Sequence, residues 1–106
     1  MSFSGSVQPI FTASCALSGC HTGAAPQQGM NLSSGKAYSN TVNVAASECS
    51  GRLRVKPGDS ANSYVIQKLT NVNLCSGTQM PKTGGPLPSA EIAAISNWIC
   101  EGAPNN

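Results

Sequence analysis

The sequence predicts an all-α domain in which three or four short helices are joined by long loops. Apolar residues recur at helical spacing in separate stretches, and the clearest stretch lies near the C-terminus. Gly, Pro, Ser and Asn are plentiful between them, and the run 41–47 gives only a weak extended signal. The length of 106 residues suits one domain. We expect residues 1–6 to be a disordered N-terminal tail, residues 7–104 to form the domain, and residues 105–106 to be a C-terminal tail.

The first two predicted helices are short. Apolar residues recur at helical spacing over 7–15, and Pro9 fits only in the first turn of such a helix. Ser33 or Ser34 is a suitable cap for a second helix over 36–40, since a serine hydroxyl accepts a hydrogen bond from the first helical turn. The segment between these helices is therefore expected to be an irregular loop.

A third helix follows the turn predicted at Pro57-Gly58. Asp59 or Ser60 is expected to cap it, and its apolar residues continue to Leu69. Residues 71–88 then form a long loop, which in so small a domain is usually functional or held in place by other contacts.

The last helix has the strongest pattern. Ser89 is a good N-cap, and Glu91 in the first turn suits the positive end of the helix dipole. Gly102 and Pro104 end the helix. Its expected buried face carries three isoleucines with the tryptophan beside them: Ile92, Ile95, Ile99 and Trp98.

Two thiols and the only histidine lie together between Cys15 and His21, with Cys20 directly before the histidine. A cysteine pair followed at once by histidine is typical of covalent c-type haem attachment. The thiols add to the haem vinyl groups, and His21 then binds the iron. The usual motif has two residues between the cysteines and this chain has four, so the extra residues must bulge outwards.

Two other interpretations of these residues remain open. A zinc site with three cysteines and His21 is possible if Cys49, Cys75 or Cys100 joins Cys15 and Cys20. Alternatively, all five cysteines are structural and the histidine is an ordinary surface residue. A haem would help the fold, because a loop-rich chain with 5% aromatic residues builds only a thin core without a cofactor.

Met80 is the expected second axial ligand of the haem iron. The sequence has no second histidine, and of its three methionines Met1 is terminal and Met30 is expected to pack in the core. Met80 lies in the long loop and is followed by Pro81, which restricts the backbone. A thioether ligand prefers ferrous iron and closes the coordination sphere, which favours electron transfer over oxygen chemistry.

The order of these motifs resembles the small bacterial class I cytochromes c that carry one haem. The resemblance covers roughly residues 7–104 and rests on the attachment stretch, Gln79-Met80-Pro81 and the terminal helix with Asn97-Trp98-Ile99. It implies a cytochrome c-like fold, in which short helices and long loops wrap around one covalently bound haem. The first and last helices would cross near the haem edge.

The resemblance also implies roles for individual residues. Cys15 and Cys20 would be the thioether positions, with His21 and Met80 as axial ligands of the iron. Pro26 would offer a backbone carbonyl to the His21 ring proton. The spacer of four residues departs from the usual pattern and allows a version with a single thioether from Cys20.

The three remaining cysteines allow three pairings. We favour a disulfide between Cys49 and Cys75, which would tie the Met80 loop to the middle of the chain. Cys75 with Cys100 is the rival pairing. Cys100 is otherwise expected to be a buried packing residue, since it follows Ile99 on the last helix.

Three further residues have two interpretations each. Arg54 belongs to the only basic cluster, Arg52, Arg54 and Lys56, which forms either a solvated face or a contact with a haem propionate or an acidic partner. Tyr64 and Trp98 either pack in the core or touch the haem.

The sequence thus predicts an electron-transfer protein containing haem c, not an enzyme in its own right. Its partners would be redox proteins, with an acidic surface if the basic cluster contacts them; the charge pattern gives little support for nucleic-acid binding. No stretch is long and apolar enough to span a membrane. Haem attachment and disulfides suggest a periplasmic or otherwise extracytoplasmic location. The alternatives are a haem enzyme or gas sensor with a displaceable distal ligand, and a haem-free, disulfide-stabilised binding module.

Overall fold

Helices make up the regular structure of the described residues. The computed structural model describes residues 2–15, 29–46, 49, 51–72, 74–75, 79–80 and 87–106. A π-helical turn, Phe3–Val7, leads into the first α-helix, and a 3₁₀ turn, Ser60–Asn62, precedes the third. The α-helices are α1 (Gln8–Ser14), α2 (Ala37–Thr41), α3 (Tyr64–Thr70) and α4 (Ser89–Cys100). The predicted helical class is therefore confirmed for this part of the chain.

The weak extended signal at 41–47 corresponds to isolated bridges. Val42 pairs with Val55 in parallel fashion, and Ala45 pairs with Leu53 in antiparallel fashion. Leu53 also pairs with Ser63, directly before α3. None of the residues that the structure describes belongs to a strand, and these bridges link the segment after α2 to the segment before α3.

The main core lies where α1, α4 and the N-terminal turn meet. Phe11, Ile95, Trp98 and Ile99 are essentially without solvent exposure. Burying side chains of this size stabilises the fold by about 1.5–3 kcal/mol each. Three of these four residues belong to α4, the helix with the clearest apolar pattern in the sequence.

The N-terminal segment differs from the disordered tail that the sequence predicts. Phe3 is only 7% exposed, and its ring centroid lies 5.2 Å from that of Trp98 and 5.4 Å from that of Tyr38. Its backbone N–H donates to Asn106 Oδ1 (3.0 Å), and the Ser4 N–H donates to the Asn106 carbonyl (3.0 Å). One aromatic ring in a polar segment is enough to order it, because that ring completes the core.

Gly5 lies close to the Ser2 hydroxyl in this N-terminal turn. Its backbone N–H donates to Ser2 Oγ at 3.0 Å. A β-carbon at position 5 would lie 2.7 Å from the same oxygen, which is closer than van der Waals contact permits. A side chain at position 5 would therefore displace the Ser2 hydroxyl and weaken this hydrogen bond.

The helices start close to their predicted positions, but the predicted N-cap groups are not the ones that the structure uses. Ser33 accepts hydrogen bonds from Lys36 N–H (3.0 Å) and Ala37 N–H (3.1 Å) through its backbone carbonyl, not through its hydroxyl. Helix α4 begins at Ser89, but the residue in the cap position is Pro88, which has no side-chain group to donate or accept. The first turns of these two helices therefore form without the N-cap hydroxyls that the sequence predicts.

The Pro57-Gly58 turn is confirmed and lies against the end of α4. Gly58 has a φ of +80°, which favours glycine, and its N–H donates to the Ile99 carbonyl at 2.7 Å. The same carbonyl accepts from Gly102 N–H at 2.9 Å. The turn therefore supplies a further donor to a carbonyl at the C-terminal end of α4.

Replacing Phe3 by alanine should destabilise the protein. The Phe3→Ala variant loses a buried ring beside Trp98, so we expect the free energy of unfolding in urea to fall by about 3 kcal/mol. Val72→Ala is the matched control, because Val72 is 49% exposed and its truncation should change the same quantity by less than about 0.5 kcal/mol. Equal effects of the two substitutions would mean that the N-terminal segment is frayed.

Candidate haem-binding site

The residues assigned to the haem site fall into two groups. Cys15 and Met80 belong to the described part of the chain, whereas Cys20, His21 and Pro26 lie outside the described residues. The geometry can therefore be examined at one proposed attachment position and at one proposed axial ligand.

Cys15 caps the C-terminal end of α1. Its backbone N–H donates to the Phe11 carbonyl at 2.9 Å, so its position follows directly from the helix. The residue is half-buried and packs against the main core. Helix α1 therefore places Cys15 at the border between the core and the surface.

Met80 is fixed to the C-terminal end of α3. Its backbone N–H donates to the Lys68 carbonyl at 2.9 Å, and the Gln79 side-chain amide donates to the Leu69 carbonyl at 2.8 Å. Carbonyls in the last turn of a helix lack intrahelical partners, so they are free to accept these bonds. The sequence alone assigns no role to Gln79, although an amide directly before the candidate ligand is a visible signal.

The sulfur-bearing side chains of Cys15, Met30 and Met80 border the same core cluster. Each of the three is partly buried and packs on the cluster that contains Phe11 and Trp98. Met30 occupies the packing role that the sequence predicted for it. Two of the four residues proposed to hold a haem thus border one apolar cluster.

The Cys49–Cys75 disulfide that we favoured from the sequence is present. The two α-carbons lie 5.4 Å apart, within the usual range for a disulfide. Cys49 is buried beside Tyr64, whereas Cys75 is exposed. The bond joins the segment before Arg52 to the loop that follows α3, so it restrains the chain that leads to Met80.

Tyr64 and Trp98 occupy core positions. Tyr64 is 5% exposed and belongs to a small second cluster with Ala46 and Cys49, and its hydroxyl accepts from Cys75 N–H at 3.3 Å. The Trp98 indole is fully buried and donates to the Pro104 carbonyl at 2.9 Å. In both cases the polar atom of the side chain is hydrogen-bonded to the protein backbone.

The basic cluster is not the exposed patch that one interpretation of the sequence required. Arg54 is only 8% exposed, and its Nη1 donates to the Asn40 carbonyl at 2.7 Å. This burial lowers the pKa of the Arg54 guanidinium from its ordinary value. Arg52 Nη1 donates to Gln67 Oε1 at 2.8 Å, which leaves Lys56 as the exposed cation of the three. The alternation of basic residues in the sequence does not show which side chain will be hydrogen-bonded to a backbone carbonyl inside the protein.

Lys56 is engaged in a surface ion pair. Its Nζ lies 3.4 Å from Asp59 Oδ2, and the Asn62 side-chain amide donates to the same oxygen at 2.8 Å. The Asn62 hydrogen bond, assisted by Lys56, lowers the pKa of the Asp59 carboxyl. An exposed pair of this kind contributes little to stability, so Lys56 remains accessible to a partner.

Cys100 is exposed, contrary to the packing role expected from its neighbour Ile99. Adjacent helix positions point about 100° apart, so a residue next to a buried one can face solvent. The Cys100 Sγ lies 3.5 Å from Ser60 Oγ. Because Cys49 and Cys75 are bonded to each other, Cys100 is the one remaining candidate for a third zinc thiolate beside Cys15 and Cys20.

Two searches of the described residues bear on metals and membranes. Within the ranges given above, no group of three or more His, Cys, Asp and Glu side chains is arranged to hold a metal ion. In the same part of the chain, no helix has the length and apolar character needed to cross a bilayer.

Comparison with known proteins adds no relative. No family model, curated protein or solved structure matches this chain.

Removing the disulfide should destabilise the protein more than removing Cys100. A double variant, Cys49→Ala with Cys75→Ser, frees a chain segment whose ends are 26 residues apart. We expect the free energy of unfolding to fall by about 3 kcal/mol in urea, because the unfolded chain gains conformational freedom. Cys100→Ser, on an exposed thiol, is the control and should unfold like the parent. A double variant as stable as the control would show that the bond does not form in solution.

Proposed function

We propose that this protein is an electron-transfer c-type cytochrome with a cytochrome c-like fold, one covalently bound haem c and His/Met axial ligation. It acts as an outer-sphere electron shuttle, or as the electron-transfer domain of a larger redox protein, and not as an enzyme in its own right. The single observation that carries the proposal is the adjacency of Cys20 and His21, together with a second thiol at Cys15.

The donor chemistry of the described residues fits such a haem. Cys15 offers a thiol, and Met80 offers a soft thioether, at the rim of one apolar cluster. Zinc fits less well, because it needs a third thiolate and only Cys100 is left outside the disulfide. Cys20 and His21 would complete the haem attachment and the proximal ligation, and Met80 would supply the distal ligand.

The chain's own residues have distinct tasks in this proposal. When bound, the haem iron supplies the reversible one-electron couple between its ferric and ferrous states. Helix α1 presents Cys15, and the end of α3 fixes the backbone of Met80. A ligand held by a rigid helix end moves little when the iron gains or loses an electron. This keeps the reorganisation energy of electron transfer small. A thioether at that position favours the ferrous state and raises the reduction potential.

The location and partners follow from the same chemistry. A disulfide between Cys49 and Cys75, together with covalent haem attachment, supports a periplasmic or otherwise extracytoplasmic location. The partners would be redox proteins. An acidic partner surface would meet the exposed Lys56 and Lys36, since the guanidinium of Arg54 is engaged within the protein.

Haem attachment is the first test of the proposal. The chain, produced in a host with the haem-attachment machinery, should gain the mass of one haem, and its pyridine haemochrome should report two thioether bonds. Cys20→Ala should lose one thioether, and Cys15→Ala should give a spectrum typical of a single thioether. Cys100→Ser is the control and should leave the spectrum unchanged. A chain with only the bare polypeptide mass would instead be a haem-free, disulfide-stabilised module.

Axial ligation by Met80 is the second test. The oxidised protein should show the near-infrared band that reports a sulfur–iron bond, and Met80→Ala should abolish that band and lower the reduction potential. Met30→Ala is the matched control, because Met30 borders the same cluster and should keep the band. A high-spin parent that binds carbon monoxide rapidly would point to a haem enzyme or gas sensor with a displaceable distal ligand.

A further inference from the structure

Two consecutive residues bond to two consecutive carbonyls at the end of α3. Met80 N–H reaches the Lys68 carbonyl at 2.9 Å, and Gln79 Nε2 reaches the Leu69 carbonyl at 2.8 Å. The acceptors belong to residues that are only 8% and 4% exposed, so their backbone positions are set by the packing of the helix. Two bonds to fixed acceptors determine the direction of the Gln79–Met80 segment, whereas one bond would leave it free to rotate.

The geometry of the helix end leaves these carbonyls available. Asn71 adopts a left-handed conformation, with a φ of 59°, and turns the chain away from the helix axis. The backbone N–H groups of Asn71 and Val72 both donate to the Gln67 carbonyl, which lies one turn back. The capping bonds at the end of α3 therefore converge on the Gln67 carbonyl, and the next two carbonyls accept from the segment at 79–80.

We infer that Gln79 is a positioning residue for Met80, and that its side-chain amide holds the methionine in the direction its role as an axial ligand requires. The role of Met80 as a ligand rests on the proposed function. The two hydrogen bonds that hold Gln79 and Met80, which we call the clamp, do not depend on a bound cofactor. Gln79 acts through the backbone of its neighbour and touches no reacting atom.

To bond to the Leu69 carbonyl, residue 79 needs a hydrogen-bond donor in its side chain. The C-terminal end of a helix carries partial negative charge on its free carbonyls, so a neutral amide or a cation is favoured there and a carboxylate is repelled. Glutamate has the shape of glutamine but no donor at neutral pH. Lysine has the reach and the donor, so it can replace the amide at Leu69.

Amide hydrogen exchange on the full-length chain, with and without haem, tests the clamp directly. In Gln79→Glu we expect the Met80 amide to exchange roughly three to ten times faster, the factor that corresponds to loss of one hydrogen bond. In Gln79→Lys the rate should remain within about twofold of the parent. In the haem-loaded protein, Gln79→Glu should weaken the near-infrared sulfur band and Gln79→Lys should preserve it.

Controls separate the clamp from general stability and from haem binding. Asn97→Asp makes the same amide-to-carboxylate change at an exposed position on α4 and should not alter Met80 exchange. The Ile95 and Ile99 amides report global unfolding, and Gln79→Ala replaces the glutamate variant if that variant unfolds. Unchanged Met80 exchange in Gln79→Glu, or equal acceleration in the glutamate and lysine variants, would overturn the inference. A chain that never takes up haem refutes the proposed function but leaves the exchange comparison intact.

Discussion

The structure depends on one aromatic contact, the packing of Phe3 on Trp98. The chain has only five aromatic residues, and four of them, Phe3, Phe11, Tyr38 and Trp98, form a connected set of rings. The polar atoms of this set also close the C-terminus, since Trp98 donates to the Pro104 carbonyl and the Tyr38 hydroxyl donates to the Ala103 carbonyl. In a protein with so few large apolar residues, this cluster gives the helices a common surface on which to pack.

Helix α3 connects that core to the candidate site. Leu69 packs in the main cluster, and Tyr64, at the other end of the helix, packs in the smaller cluster with the buried half of the disulfide. The C-terminal carbonyls of the same helix then hold Gln79 and Met80. One helix of seven residues thus contacts the core, the residue cluster of the disulfide and the proposed distal ligand.

The features that could be predicted from the sequence are those with a periodic apolar pattern or with a characteristic residue type, such as glycine in a turn or cysteine in a disulfide. The turn at Gly58 and the pairing of Cys49 with Cys75 follow the predictions, and α4 begins one residue before its predicted start, with Pro88 instead of Ser89 as the N-cap. The burial of Arg54 could not be predicted, because it depends on a backbone carbonyl at Asn40 that comes close only in three dimensions.

Single residues without a pattern account for the other differences. Phe3 stands alone among serines and glycine, so it gives no periodic signal, and its partner Asn106 is at the far end of the chain. Cys100 was assigned to the core by its neighbour, although one step along a helix turns a side chain to another face. The proposed haem site rests on the sequence motif at Cys20 and His21, and the structure adds only that Cys15 and Met80 border one apolar cluster.

The hydrogen bond between Ser4 N–H and the Asn106 carbonyl brings the two ends of this chain to the same point on the surface. Anything fused to either end would therefore leave the domain from one patch, beside the ring of Phe3. A short peptide linker joining the ends would yield a circular molecule with little rearrangement, and new ends could then be opened in a surface loop. Helix α3 would keep its place in such a permuted chain, because its contacts do not depend on where the polypeptide is cut.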